Sequence, residues 1–236
     1  MKSNNSGFFW PSYADLMTSL FFIMLVLYVL TFLMLKKKDQ EQALDIANLK
    51  HKLEVYDQVE SNLMPLKNDT LLFHYEEEYK RFTLAFDVHF ESGKYNIIEG
   101  ELDSFTTTSS KIKEVGIQLS ETIDLLAKNK LANESMKNVS YLIIISGYAS
   151  RSSSPNYLSH EIANYEISYK RALNLWLYWK NNGIDFEAKK YDGLIDLQIA
   201  GNGWGGVGRF PSSTEEIERK NQRFIIQIVP KIGNTK

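Results

Sequence analysis

The chain has no cysteine, so disulfides, thiolate metal sites and cysteine nucleophiles are excluded. It has only 4 histidines, His51, His74, His89 and His160, and their spacing fits no zinc signature. Basic residues are not in excess: 27 Lys and Arg stand against 29 Asp and Glu, which argues against a nucleic-acid partner. Proline is sparse, 5 in 236 residues, so each one carries positional meaning, and Pro65 is expected to stop a helix. No paired carboxylates and no Ser/His arrangement stand at a catalytic spacing, which argues against an enzyme. The glycines of Gly201-Asn-Gly-Trp-Gly-Gly206 lack the Gly-Lys-Ser/Thr of a phosphate loop and read as a flexible turn.

One long uncharged run is present. From Leu16 to Leu35, 20 consecutive residues carry no charge. At about 1.5 Å per helical residue they reach roughly 30 Å, the thickness of a bilayer core. The run exceeds a signal-peptide core and no Ala-x-Ala follows, so it reads as an uncleaved anchor. Asp15 stands at its leading edge, one turn into a helix counted from Pro11. A carboxylate at membrane depth costs about 2.5–3.5 kcal/mol on insertion scales and marks a functional site. Asp15, Thr18, Ser19 and Phe22 share one helical face, so the polar residues lie on one stripe of an apolar helix. Lipid gives no reason for such a stripe; a protein partner or a hydrated path does.

Residues 39–64 are charged and free of Gly and Pro. Ile46, Leu49, Leu53, Tyr56 and Leu63 follow spacings of three and four with Glu60 interrupting, which predicts an amphipathic helix. It serves either a short parallel coiled coil or packing on its own domain. Residues 66–81 read as a connector. A globular domain begins at Phe82, where Phe82, Leu84, Phe86, Val88 and Phe90 alternate with polar residues as in a half-buried strand. Helical spacing covers 100–131, with a break expected near Gly116. Tyr141–Ser146 reads as a buried strand, 161–181 as a helix, Leu194–Ala200 and Phe224–Val229 as strands. The order β-α-β-α-β-β implies a two-layer α+β domain behind a single N-terminal transmembrane helix.

Two stretches carry a resemblance. Trp10-x-x-Tyr-Ala-Asp15-Leu-Met-Thr18 before one apolar span resembles the N-terminus of the B subunits of ion-driven membrane motors. That group contains the flagellar stator protein MotB and ZorB of the Zorya anti-phage system. At the other end stand Ile145-Ser-Gly147-Tyr-Ala-Ser150, Asn164-x-x-Ile-Ser168-x-x-Arg171-Ala172, Gly201-x-Gly203 and Asn221-Gln-Arg223-Phe224. This ordered set is similar to the OmpA-like peptidoglycan-binding domain, over residues 82–230. The spacing of Asn164, Ser168 and Arg171 puts them on one helix face, and an Arg fork grips a carboxylate bidentately.

The resemblance implies the following expectations. Asp15 carries the translocated ion, H⁺ or Na⁺, assisted by Thr18 and Ser19, and no cofactor is needed. Arg171, Asn164, Ser168, Ser150 and Arg223 serve peptidoglycan. The partners are a polytopic A subunit, five around two B, a second copy of the chain, the membrane and the wall. Ser150 stands where the family has an Asp that meets an ammonium, and Glu161, after a longer loop from Arg151 to His160, is a candidate substitute. Residues 1–10 form a short cytoplasmic N-terminus, 11–35 the membrane helix, 36–81 a helical linker or plug, 82–230 the wall-binding domain and 231–236 a tail. Lys36-Lys37-Lys38 behind the span would by itself place the C-terminus in the cytoplasm. Wall binding requires the reverse, so the expected topology is a single-pass inner-membrane protein, N-terminus in and domain out. The short N-terminus and the lead-in Tyr75-Glu-Glu-Glu-Tyr-Lys-Arg-Phe82 resemble ZorB more than flagellar MotB.

Overall fold

The computed structural model describes residues 9–151, 162–205, 207–210 and 214–232. The chain divides into two units, Met1–Leu53 and Glu54–Lys236, each taken by itself.

The described residues of the first unit are helical, the first part of α1 (Phe9–Asn68), and every residue from Tyr13 to Lys50 is exposed. The uncharged run therefore has no protein cover, and among the described residues this is the one helix long and apolar enough to cross a membrane. Ile46, Leu49 and Leu53 also lie in the open, at 65%, 60% and 63% exposure.

The second unit begins with the last turns of α1. Here Val55, Val59, Leu63 and Leu66 are buried in the domain core. Each such aliphatic side chain contributes about 1.5–3 kcal/mol on burial, which holds the segment down. Of the predicted stripe only Leu63 is buried; Tyr56 is exposed, so the docked face is a neighbouring one. The helix runs three residues past Pro65, against expectation, ending with Asp69 N–H donating to the Pro65 carbonyl at 3.2 Å. In the last turn the ring forfeits one hydrogen bond, and burial of Leu66 outweighs that loss.

A five-stranded sheet follows, in the order β1-β2-β5-β3-β4. β1 (Phe73–Glu76) and β2 (Arg81–Leu84) form a hairpin within and just after the stretch read as connector. β3 (Val139–Gly147) and β4 (Ile195–Gly201) are parallel, joined by α3 (Ile162–Asn181). β5 (Phe224–Ile232) runs antiparallel between β2 and β3 and extends past residue 230. α2 (Phe105–Ala132) and the short α4 (Glu215–Arg219) complete the unit. Ile112, Val115 and Leu119 of α2, Leu175 and Trp179 of α3, and Tyr141, Ile143 and Ile145 of β3 form the core between helices and sheet. The two-layer α+β reading holds, with the hairpin strand β1 and helix α4 added to it.

Two local expectations change. The alternation from Phe82 to Phe90 is a strand only to Leu84; Val88 and Phe90 stay buried, but the backbone leaves the ladder. There Ala85 N–H turns to the Leu72 carbonyl and Phe90 N–H to the Gln222 amide oxygen. Helix α2 does not break at Gly116. A Cβ at that position would lie 2.5 Å from the Trp179 ring. The glycine lets α2 and α3 approach, and Trp179 Nε1 donates to the Ile112 carbonyl at 2.7 Å across that contact.

Candidate functional site

Period 3.6 put Asn164, Ser168 and Arg171 on one face of α3, and the structure buries that face, with the three residues 7%, 0% and 3% exposed. The face meets the ends of β3 and β4, where Gly147 and Gly201 are paired in register. A Cβ on Gly147 would run into the Ser168 carbonyl oxygen, and one on Gly201 would stand 2.5 Å from the Tyr169 nitrogen. Two strand-end glycines thus set α3 directly against the sheet. Ser168 seals the contact: its Oγ donates to the Tyr165 carbonyl at 2.9 Å and accepts from Gly203 N–H at 2.8 Å.

Arg171 lies beneath this corner. Its Nε donates to the Lys94 carbonyl at 3.1 Å, its Nη1 to the Tyr148 carbonyl at 3.3 Å, and its guanidinium covers the Phe90 ring at 4.6 Å. No carboxylate among the described residues pairs with it. Burial pulls its pKa down to about 10, which leaves it cationic at neutral pH. The Lys94 carbonyl belongs to a loop tied by Glu101, which accepts from the Asn96 backbone N–H at 3.0 Å and from its Nδ2 at 2.9 Å. Asn164, one stripe position away from Ser168, has a buried Nδ2 with no hydrogen-bond acceptor among the described residues.

The other predicted residues fall around this centre. Ser150 Oγ accepts from Gln222 Nε2 at 2.9 Å, and Gln222 Oε1 accepts from Phe90 N–H at 2.8 Å. Gln222 therefore links the loop after β3 to the residue under the guanidinium. That link crosses 132 residues and has no local sequence pattern. Asn221 closes a loop, its Oδ1 accepting from Phe210 N–H at 2.9 Å and its Nδ2 donating to the Phe210 carbonyl.

Arg223 points elsewhere. It pairs with Glu76 at 3.7 Å, donates to the Gly208 carbonyl and lines a cleft of about 940 Å³ beside the β1–β2 hairpin that does not include Arg171. Burial lowers its pKa, with neighbouring Arg81 adding to the effect and Glu76 opposing it. Glu76 also holds Arg81, Nε to Oε2 at 2.7 Å.

A carboxylate does reach the Ser150 corner, and no local pattern announced it. Glu218 of α4 accepts from Arg151 N–H and forms an ion pair with Arg209. Its other oxygen is buried without a hydrogen-bond donor among the described residues. Glu161 and most of the Arg151–His160 loop lie outside the described residues.

Asp15 is exposed on α1. Thr18 Oγ1 donates to the Ala14 carbonyl at 2.7 Å, returning its hydroxyl to its own helix. Ser19 is exposed beside it.

No protein-family profile matches the chain, and no curated protein does. Among solved structures, the chain is similar to a MotB-like protein from Desulfovibrio vulgaris, with 15% identity, 77% of this chain and 96% of that one covered, and a TM-score of 0.39. It is similar to the periplasmic domain of Helicobacter pylori MotB at 14% identity, 69% and 89% coverage and a TM-score of 0.34. It is also similar to the OmpA-like domain of FopA1 from Francisella tularensis at 20% identity, 71% and 89% coverage and a TM-score of 0.37.

Proposed function

We propose that this chain is the wall-anchored, ion-conducting B subunit of an inner-membrane motor, of the ZorB type rather than the flagellar MotB type. The observation that carries the reading is Arg171: a guanidinium 3% exposed that, among the described residues, meets two carbonyls and a ring and has no carboxylate partner. A buried cation without a counter-charge costs several kcal/mol, which an incoming anion recovers. A free carboxylate on a cell-wall stem peptide supplies that anion in the fork geometry Arg favours. Asn164 brings an amide donor to the same ligand. Ser168 and Ser150 hold the surrounding loops, while Arg223 stands apart beside the hairpin. The reading assigns no catalysis and no cofactor.

At the other end, Asp15 carries the ion. A carboxylate at membrane depth is costly when bare and cheap when protonated or paired with a cation, so it cycles between two states as H⁺ or Na⁺ arrives and leaves. Each state favours a different packing of surrounding A subunits, five around two copies of this chain. Thr18 and Ser19 assist on the same face. The topology has the N-terminus inside and the domain in the periplasm.

Two experiments test the two ends. The full chain in detergent is pulled down with peptidoglycan: Arg171→Ala should release it, and unchanged retention would refute wall binding through Arg171. Asp15→Asn should abolish motor output, read as phage protection or motility, while the A subunit still co-purifies. Full output with Asp15→Asn would leave a passive wall tether.

A further inference from the structure

The charge just past the apolar run changes sign within four residues. Lys36, Lys37 and Lys38 follow Leu35 directly, and the next charges are Asp39, Glu41 and Asp45, with no further lysine until Lys50. All of these residues are exposed on α1. Lys37 reaches Glu41 only at 3.9 Å, and Lys36 and Lys38 have no ion-pair partner among the described residues. Successive helical residues turn by about 100°, so the three lysines spread over roughly 200° of the helix circumference. A protein partner touches one face of a helix; a headgroup layer surrounds a helix that crosses it. The lengths agree as well. Three residues rise about 4.5 Å, and the headgroup layer beyond a hydrocarbon core of roughly 30 Å is about 5–7 Å deep. The first carboxylate then stands where headgroups end and water begins.

We propose that Lys36, Lys37 and Lys38 form a collar that binds the phosphates of anionic lipid headgroups, of the phosphatidylglycerol kind, at the end of the span. A zwitterionic headgroup already answers its phosphate with its own ammonium; an anionic one leaves the phosphate to lysine. A lysine ammonium is a compact charge on a long stem, and the stem lies along apolar surface while the head stays in the polar layer. Asp39, Glu41 and Asp45 are repelled by the same lipid surface, which keeps the helix standing off the membrane instead of lying on it. The sign change also argues against a nucleic-acid partner, since residues 36–45 carry three positive and three negative charges. The collar fixes depth. Lys36 lies 21 residues past Asp15, about 32 Å along the helix, so lipid held at one end sets where the carboxylate stands at the other. The inference rests on the reading of Leu16–Leu35 as a span, not on wall binding or ion transfer.

The full chain is reconstituted in phosphatidylcholine vesicles with a trace of nitroxide-labelled phosphatidylglycerol or phosphatidylcholine, and electron spin resonance reads the fraction of each label held beside the protein. The phosphatidylglycerol label should be enriched about threefold over the phosphatidylcholine label. Lys36→Gln, Lys37→Gln and Lys38→Gln together should bring the ratio to about one. Lys36→Arg, Lys37→Arg and Lys38→Arg together should keep the enrichment, because charge is what the lipid reads. Lys50→Gln with Lys52→Gln should leave it unchanged, since Lys50 stands about 21 Å beyond Lys36. Raising NaCl from about 0.1 M to about 1 M cuts the screening length from about 10 Å to about 3 Å and should lower the enrichment by about half or more. Inorganic phosphate at matched ionic strength should displace no more label than chloride does. No enrichment in the parent, enrichment that survives the triple Gln change, or loss with the Lys50 and Lys52 pair would each overturn the proposal. Selective displacement by inorganic phosphate would make the lysines a plain ion site and overturn it too. An alkaline carbonate wash of the same vesicles reports the anchor separately: protein lost to the wash sinks the span and the collar with it, while protein retained without enrichment sinks the collar alone.

Discussion

Arg171 and Arg81 are buried almost equally, 3% and 6% exposed, and are satisfied in opposite ways. Both donate to backbone carbonyls, Arg81 through Nη2 to Val207 at 2.9 Å. Both cover an aromatic ring, Tyr79 under Arg81 at 4.6 Å and Phe90 under Arg171 at the same distance. The difference is Glu76, which holds Arg81 at 2.7 Å and has no counterpart beside Arg171 among the described residues. One arginine is neutralised by the fold. The other has no carboxylate partner among the described residues, a cost that an incoming anion would remove on the function proposed above.

Substitution can break that contrast at either end. The largest effect is expected from Arg81→Met, which removes the shorter of the two arginine contacts on Glu76, leaves Arg223 at 3.7 Å, and should cost about 2 kcal/mol in denaturant unfolding. Peptidoglycan retention should persist under native conditions; its loss would mean that the hairpin cluster belongs to the binding site. Arg171→Met should do the reverse. Replacing a buried unpaired charge with an apolar side chain of similar volume should leave the denaturation midpoint level or raise it, while retention falls by about thirtyfold or more. A large drop in stability with retention intact would make Arg171 structural.

Asn164→Leu sharpens the contrast on a smaller scale. Its amide nitrogen is buried without an acceptor, so an apolar replacement should stabilise the protein by about 1 kcal/mol and weaken retention about fivefold. The smallest effect concerns Glu101, whose hydrogen bonds from Asn96, backbone first and side chain second, hold its pKa below the ordinary carboxylate value. A lowered carboxylate pKa adds stability that is complete above the ordinary value and is lost as pH falls through the folded one. Acid titration of Glu101→Gln followed by Phe and Trp fluorescence should therefore show a shallower acid limb than the parent, and an unchanged limb would remove Glu101 from the loop's support.

The α3 stripe and the span were legible because each is one periodic segment: three residues at helical spacing, or a run without charge. β3 was legible for a similar reason, a continuous apolar stretch. What stayed hidden depends on distance or on overlap. β1 is a four-residue edge strand, Phe73-His-Tyr-Glu76, whose alternation is too short to stand out from the stretch around it. The run from Phe82 to Phe90 alternates in burial without pairing in the sheet, because period two reports which side chains are inside, not which backbones are bonded. Residues 46–66 carry two apolar faces on one helix, and the spacing that joined Leu63 to Leu53 mixed them. The Glu218 contacts with Arg151 and Arg209 cross 67 and 9 residues, and the longer one has no local signature.

The glycine pair at the strand ends also governs how force travels. On the function proposed above, a wall that grips Arg171 would pull on α3, and α3 lies on Gly147 and Gly201 with no room for a methyl group between them. Such a contact has no slack, so tension enters β3 at its end before the helix can shift. β3 is matched to β5 over the nine residues from Val139 to Gly147 and to β4 over the seven from Tyr141 to Gly147. A strand loaded from its end and flanked on both sides strains its hydrogen bonds together, as a lap joint does, instead of opening them one by one. An anchor built this way is stiff under load, and either glycine enlarged to alanine would loosen the joint before it touched the grip.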